Sequence, residues 1–260
     1  MELIKTTIKV GNSAGVLLPK KYLNSQVKIV LKPLNIEKDV INILMEKDIL
    51  KEVMGVYLVG SYARMEQNIE SDIDILVITS NLNKRIVMEK YELICISKKE
   101  LEEQLDKNAL PVLAMIKEAK IIINGELIKK YINSPLIEKN LGWHIDTTKS
   151  AMKVVEEDLK ISRELKERYT SDGIVYSLIL RLRTLYIIDC VRKNKMYANK
   201  NFLSLIMGIT GRLTAYNAYL RAKANKKNKQ ELYIEETEML LNYINKKVSV
   251  LEKWLKEKKD

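Results

Sequence analysis

The 260-residue chain has little cysteine and almost no histidine: Cys95, Cys190 and His144 are the complete set. Both cysteines lie in apolar surroundings, which excludes a disulfide framework and a thiolate metal centre. A lone histidine excludes a histidine-rich zinc site and any mechanism that needs two imidazoles. No run of about 18 uncharged apolar residues occurs, so no membrane-spanning helix and no membrane partner are expected. Met1-Glu2-Leu3-Ile4-Lys5 lacks the apolar stretch of a signal peptide, and a cytoplasmic location is the expectation. Internal repeats and low-complexity segments are absent as well.

What is present points to a folded chain. Hydrophobic residues make up 47% and charged residues 30%, too much apolar surface for a disordered protein. The length suggests about two compact units. The net charge is +11 and the isoelectric point about 9.3. That balance suits a polyanionic partner such as nucleic acid or nucleotide phosphates. It equally suits a lysine-rich, solvated surface of the kind found in thermophiles, and charge alone does not separate the two.

Residues 1–34 carry six lysines against one acid, Glu2. Leu3 to Val10 alternates and is rich in β-branched residues, which predicts a strand. Gly11-Asn12-Ser13 is a turn signal, Ala14 to Leu18 a second short strand, and Val27 to Leu31 a third. A unit this small is expected to dimerise or dock. The stretch Lys9-Val10-Gly11-Asn12-Ser13-Ala14-Gly15-Val16-Leu17-Leu18-Pro19-Lys20, with the following Val27-Lys28-Ile29-Val30, resembles the swapped-hairpin DNA-binding domain of AbrB and MazE. The resemblance implies a homodimer that presents Lys5, Lys9, Asn12, Lys20 and Lys21 to DNA. A dimerisation clamp with merely solvated lysines is the alternative.

Residues 35–132 alternate helices and strands, which predicts a mixed α/β sheet. Helical spacing runs over 36–53, strands over 56–59, 72–78, 91–97 and 120–123, and helices over 98–105 and 110–119. Residues 145–260 read as helical, with helices near 147–169, 173–194, 199–224 and 231–257; Gly208 and Gly211 threaten the third. Short links between them predict an antiparallel bundle. The expected fold class is therefore α+β: an N-terminal β-hairpin segment, an α/β core with a mixed sheet, and a C-terminal helical bundle.

The chemistry concentrates in Gly60-Ser61-Tyr62-Ala63-Arg64-Met65-Glu66-Gln67-Asn68-Ile69-Glu70-Ser71-Asp72-Ile73-Asp74-Ile75. A buried strand ends at Gly60 and a helix is expected from Ser61 to Met65. Glycine lets a ligand approach the backbone, the helix start favours phosphate, and Ser61 adds a hydroxyl. Asp72 and Asp74 stand at i and i+2 on a strand, so their carboxylates share one face. Paired carboxylates repel one another unless a cation bridges them, and hard oxygen ligands favour Mg²⁺ or Mn²⁺. Glu92, at the start of a neighbouring apolar strand, is the best-placed third carboxylate. Three acids and two metals make a template for in-line attack on a nucleoside triphosphate.

These residues resemble the minimal nucleotidyltransferases of the DNA polymerase beta superfamily. The resemblance covers about 55–125. It implies that Gly60 and Ser61 hold the triphosphate and that Asp72 and Asp74 bind both metals. The third acid of the family, usually Asp, is Glu92 here, as metal ligand or base. Arg64 is a nucleotide-binding candidate, although pairing with a nearby acid is its commoner role. Met65 stands where the family usually has Gly. In the helical half, Tyr176 to Asp189 loosely resembles the domain that follows kanamycin-type catalytic cores, and the HEPN proteins. HEPN ribonucleases need a histidine shortly after an arginine; His144 precedes the bundle, which argues against that role. Of Arg181 and Arg183, at most one faces the nucleotide, since i and i+2 diverge on a helix.

The expected activity is transfer of a nucleoside monophosphate, with AMP from ATP favoured, to a hydroxyl on a protein by a two-metal mechanism. The alternatives are a small-molecule acceptor of the aminoglycoside type, and a DNA-binding regulator whose core senses nucleotide or is inactive.

Overall fold

The computed structural model describes residues 7–29, 34–68, 71–227, 229 and 231–257. The chain divides into two compact units, Met1–Ile36 and Glu37–Asp260.

In the first unit β1 (Ile8–Val10) and β2 (Ser13–Gly15) form an antiparallel hairpin with Val10 opposite Ser13. The two-residue turn needs a left-handed residue, and Gly11 supplies it at φ +58°. The second strand is shorter than the expected Ala14 to Leu18. The expected third strand does not form over residues 27–29, because no described strand lies beside them to complete a ladder. Val30 and Leu31 lie outside the described residues, as do Leu3 to Thr6 of the first expected strand. Val10, Leu17, Leu23, Val27 and Ile29 are all exposed.

The second unit opens within α1 (Ile36–Glu46), from Glu37 onward. The expected helix to residue 53 stops seven residues early, since Asp48 adopts φ +52° and Val53 already belongs to the sheet. In the sheet, β3 (Val53–Val59) pairs antiparallel with β4 (Ile73–Thr79) and with β7 (Lys120–Ile123). Next to β4 runs β6 (Tyr91–Ser97), parallel to it, and β5 (Lys84–Met88) forms the antiparallel edge. The five-stranded order is β5-β6-β4-β3-β7. Apolar runs on β3, β4 and β6 bury both faces, as Val56, Tyr57, Ile75, Leu76 and Leu93 show.

After β3 comes α2 (Gly60–Ala63), a single turn rather than the expected helix from Ser61 to Met65. Beyond β6, α3 (Lys98–Lys107) is capped by the Ser97 hydroxyl accepting from the Glu100 amide, and α4 (Leu110–Glu118) carries proline in its first turn. Past β7 lies α5 (Gly125–Lys129).

Three long helices and two shorter ones follow: α6 (Glu138–Glu164), α7 (Asp172–Arg192), α8 (Asn199–Thr210), α9 (Thr214–Lys223) and α10 (Ile234–Glu257). The helix expected from 147 starts nine residues earlier, so His144 is a buried helical residue within the bundle rather than ahead of it. Its ring is 2.6 Å from the Asn108 amide oxygen and edge-on to Trp143. The helix expected over 199–224 breaks at Gly211, φ +76°. Two short strands, β8 (Tyr169–Thr170) and β9 (Leu232–Tyr233), pair ahead of α7 and α10. Bidentate pairs Arg221–Asp172 and Arg212–Glu236 fasten this half. One continuous apolar cluster joins Tyr57 and Leu76 of the sheet, through Leu113, to Leu178, Phe202 and Leu251. Among the described residues no helix is long and apolar enough to cross a membrane.

Candidate active site

The site lies where β3 ends in the α2 turn and β4 and β6 begin. Gly60 has φ +70°, a conformation that strains any residue with a side chain. A Cβ there would stand 2.0 Å from Asp74 Oδ2, so glycine is required twice over. The two residues are neighbours because Val59 pairs with Asp74 across β3 and β4. The Ser61 hydroxyl has no hydrogen-bond partner among the described residues and is partly exposed. Because α2 is only one turn long, the helix dipole expected to favour phosphate is small.

Asp74 and Glu92 are register partners on the parallel strands β4 and β6, which places their side chains on one face. Asp72, two residues before Asp74, is exposed at the entrance to β4. Burial, then the charges of Glu92, Asp72 and Glu118, push the Asp74 carboxyl up to about 6, while Arg64 opposes the rise. Mutually repelling carboxylate oxygens at a strand end fit a divalent cation in chemistry. In this side-chain arrangement no three His, Cys, Asp or Glu among the described residues are disposed to hold one. Glu92 is turned instead to the guanidinium of Arg85 on β5, with Nε 2.6 Å from Oε1. Arg85 is 69% exposed, so that pair is weak and readily exchanged.

Two acids that the motif did not bring forward complete the picture. Glu118, the last residue of α4, accepts a hydrogen bond from the Gly60 amide at 2.7 Å and pairs with Arg64 Nη1 at 2.5 Å. Glu66 accepts from Arg64 Nε at 3.0 Å and, through its other oxygen, from the first amide of α8 at 2.7 Å. The Arg64 guanidinium also lies over the Tyr197 ring, as does that of Arg183. Arg181 and Arg183 each keep a buried Nε without a hydrogen-bond partner among the described residues. Glu66 was within reach of sequence reasoning, two residues from Arg64. Glu118 was not: 58 residues separate it from Gly60 and only the packing of α4 against β3 joins them. Met65, where glycine is usual, adopts φ +59° and is 79% exposed. Of the residues expected to meet DNA, Asn12, Lys20 and Lys21 are exposed, Lys5 lies outside the described residues, and so does the side chain of Lys9.

Among known families, residues 38–180 match the nucleotidyltransferase domain, more than half of the chain. Solved structures similar to it include a nucleotidyltransferase-like protein from Exiguobacterium sibiricum, at 15% identity and a TM-score of 0.38, covering 83% of this chain and 75% of that one. Another is the spectinomycin adenyltransferase of Enterococcus faecalis with ATP and spectinomycin, at 15% identity and a TM-score of 0.41, covering 82% of this chain and 98% of that one. No curated protein sequence matches the chain.

Proposed function

The chain belongs to the nucleotidyltransferase domain family, and from that premise we propose that it transfers AMP from ATP to a hydroxyl acceptor on a protein, releasing pyrophosphate. The observation that carries this reading is the side-by-side placement of Asp74 and Glu92 against the Gly60 turn. Asp72 and Asp74 are the residues that would hold Mg²⁺ or Mn²⁺, whose chemistry when bound is to neutralise phosphate charge and acidify the attacking hydroxyl. The Gly60 amide, the Ser61 hydroxyl and the Arg64 guanidinium supply donors for the phosphate oxygens. Glu92, once released from Arg85, takes the acceptor proton as the acceptor oxygen bonds to the α-phosphorus and the bond to pyrophosphate breaks.

Incubating the protein with α-³²P-ATP and a lysate tests the acceptor class. A labelled protein band that vanishes with Asp72→Asn and Asp74→Asn supports the reading. Label confined to small molecules replaces it with a small-molecule acceptor, and no transferred label at all removes the catalytic claim.

For residues 1–34 we propose a homodimerisation segment that also contacts DNA phosphates. Its support is the set of exposed apolar side chains at Val10, Leu17, Leu23, Val27 and Ile29 alongside exposed Lys20 and Lys21. Deletion of this segment is expected to give monomers with no DNA affinity, read by light scattering and gel shift. An unchanged oligomer with unchanged DNA affinity overturns it.

A further inference from the structure

We propose that Glu118 is an internal stand-in for the nucleotide's phosphate, and that nucleotide binding proceeds by displacing its carboxylate from Gly60 and Arg64. This inference rests on the nucleotide reading of the Gly60 turn given above.

The geometry is that of an occupied oxyanion site. Two donors from the two ends of one short turn, the Gly60 amide and Arg64 Nη1, converge on the two oxygens of one carboxylate, at 2.7 and 2.5 Å. A backbone amide and a guanidinium edge aimed at a bidentate oxyanion are what a phosphate group also uses. Glu118 fills them from another element, the end of α4, with its side chain only 11% exposed. Asp74 lies against the same turn, so the carboxylate of Glu118 adds to a face already crowded with negative charge.

The surroundings allow the exchange. Releasing Glu118 does not strand the arginine, because Glu66 holds its Nε edge at 3.0 Å and the Tyr197 ring lies beneath it. Nη1 can then turn from one oxyanion to another while the guanidinium stays in place. The Ser61 hydroxyl, without a described partner, adjoins the same amide. An incoming triphosphate must therefore break two charge-assisted hydrogen bonds and pass a like charge before it gains its own contacts. Removing the charge at position 118 lifts both penalties.

A clamp and a stand-in predict opposite signs. If Glu118 merely braces the turn, its loss loosens the donors and weakens nucleotide binding. If it occupies the phosphate's place, its loss strengthens binding. The probe is a non-hydrolysable ATP analogue with Mg²⁺, titrated calorimetrically into the full chain and into Glu118→Gln, which keeps the shape and removes the charge. The expected result is a dissociation constant lower by roughly five- to tenfold in the variant, the range of a modest coupling between two sites. Equal or weaker binding by a variant that melts cooperatively overturns the proposal. Should Glu118→Gln melt below the assay temperature, Glu118→Asp carries the test: its shorter reach predicts a smaller gain, and wild-type or weaker affinity overturns the proposal. Wild-type binding without a gain in the variant rejects the stand-in alone. Absence of binding in every protein rejects the nucleotide reading, and this inference with it.

Discussion

Asp74 and Glu92 are register partners on parallel strands, so their side chains leave the same face of the sheet. The account predicts that Glu92→Gln lowers the turnover of nucleotidyl transfer by about 10²–10⁴, the range typical of losing a positioned base. Analogue binding should change far less than turnover. Steady-state kinetics beside calorimetry measure the two separately. A loss in affinity as large as the loss in turnover would make Glu92 a binding residue only.

The raised Asp74 carboxyl has a consequence for stability. Its folded pKa, about 6, lies above its ordinary value of 3.8, so the folded chain holds a proton there that the unfolded chain has released. Stability therefore falls as pH rises from about 4 to about 6, and the deficit persists above that window. Asp74→Asn removes the deficit. In metal-free buffer the variant should melt higher than the wild type at pH 7.5, with the gain gone by pH 4. Thermal melts at the two pH values measure this, and an equal gain at both contradicts it.

Gly60 has two reasons to be glycine, its φ of +70° and the 2.0 Å that a Cβ would leave to Asp74 Oδ2. Gly60→Ala should cost about 1–2 kcal/mol from the backbone conformation alone. The displaced Asp74 carboxylate should abolish nucleotide transfer in whatever protein remains folded. Chemical denaturation and a transfer assay check the two effects. A variant with wild-type stability and activity would mean that the turn is not held as described.

Met65 is the reverse case, a side chain where the backbone asks for none. Relief of left-handed strain is worth about 1–2 kcal/mol, and the extra freedom of an unfolded glycine returns about 0.5–1 kcal/mol. The difference predicts that Met65→Gly stabilises the chain by about 0.5–1 kcal/mol, an increase in melting temperature of about 1–4 °C. Its high exposure means that no packing is lost. A lower melting temperature contradicts the argument.

Most of the sheet was legible because its strands are continuous apolar runs bounded by clear breakers. The apolar stretches ending at Gly60, and those of β4, β6 and β7, were placed within about a turn of their observed bounds. The edge strand β5 was not legible: Lys84-Arg85-Ile86-Val87-Met88 buries only Ile86 well and offers no alternation. It matters nonetheless, because it brings Arg85 to Glu92. The helical spacing from Ile36 overruns the helix because Leu50 and Val53 happen to continue it. Asp48, in a left-handed conformation, ends the pattern without a glycine or proline to announce it. The start of α6 at Glu138 was not legible either, since His144 reads as preceding the bundle although it is helical. At the site, the order of Gly60, Asp72, Asp74 and Glu92 was local enough to read. Glu118 reaches the turn only through tertiary packing, which no spacing encodes.

Asp72, Asp74 and the Gly60 turn are proposed to hold a nucleotide together with its divalent cation. Calorimetric titration of a non-hydrolysable ATP analogue into the full chain, with and without Mg²⁺, tests it most directly when repeated on Asp72→Asn with Asp74→Asn. The account predicts binding that requires Mg²⁺ in the wild type and is lost in the double variant. Equal binding by both proteins, or binding indifferent to the cation, would contradict it.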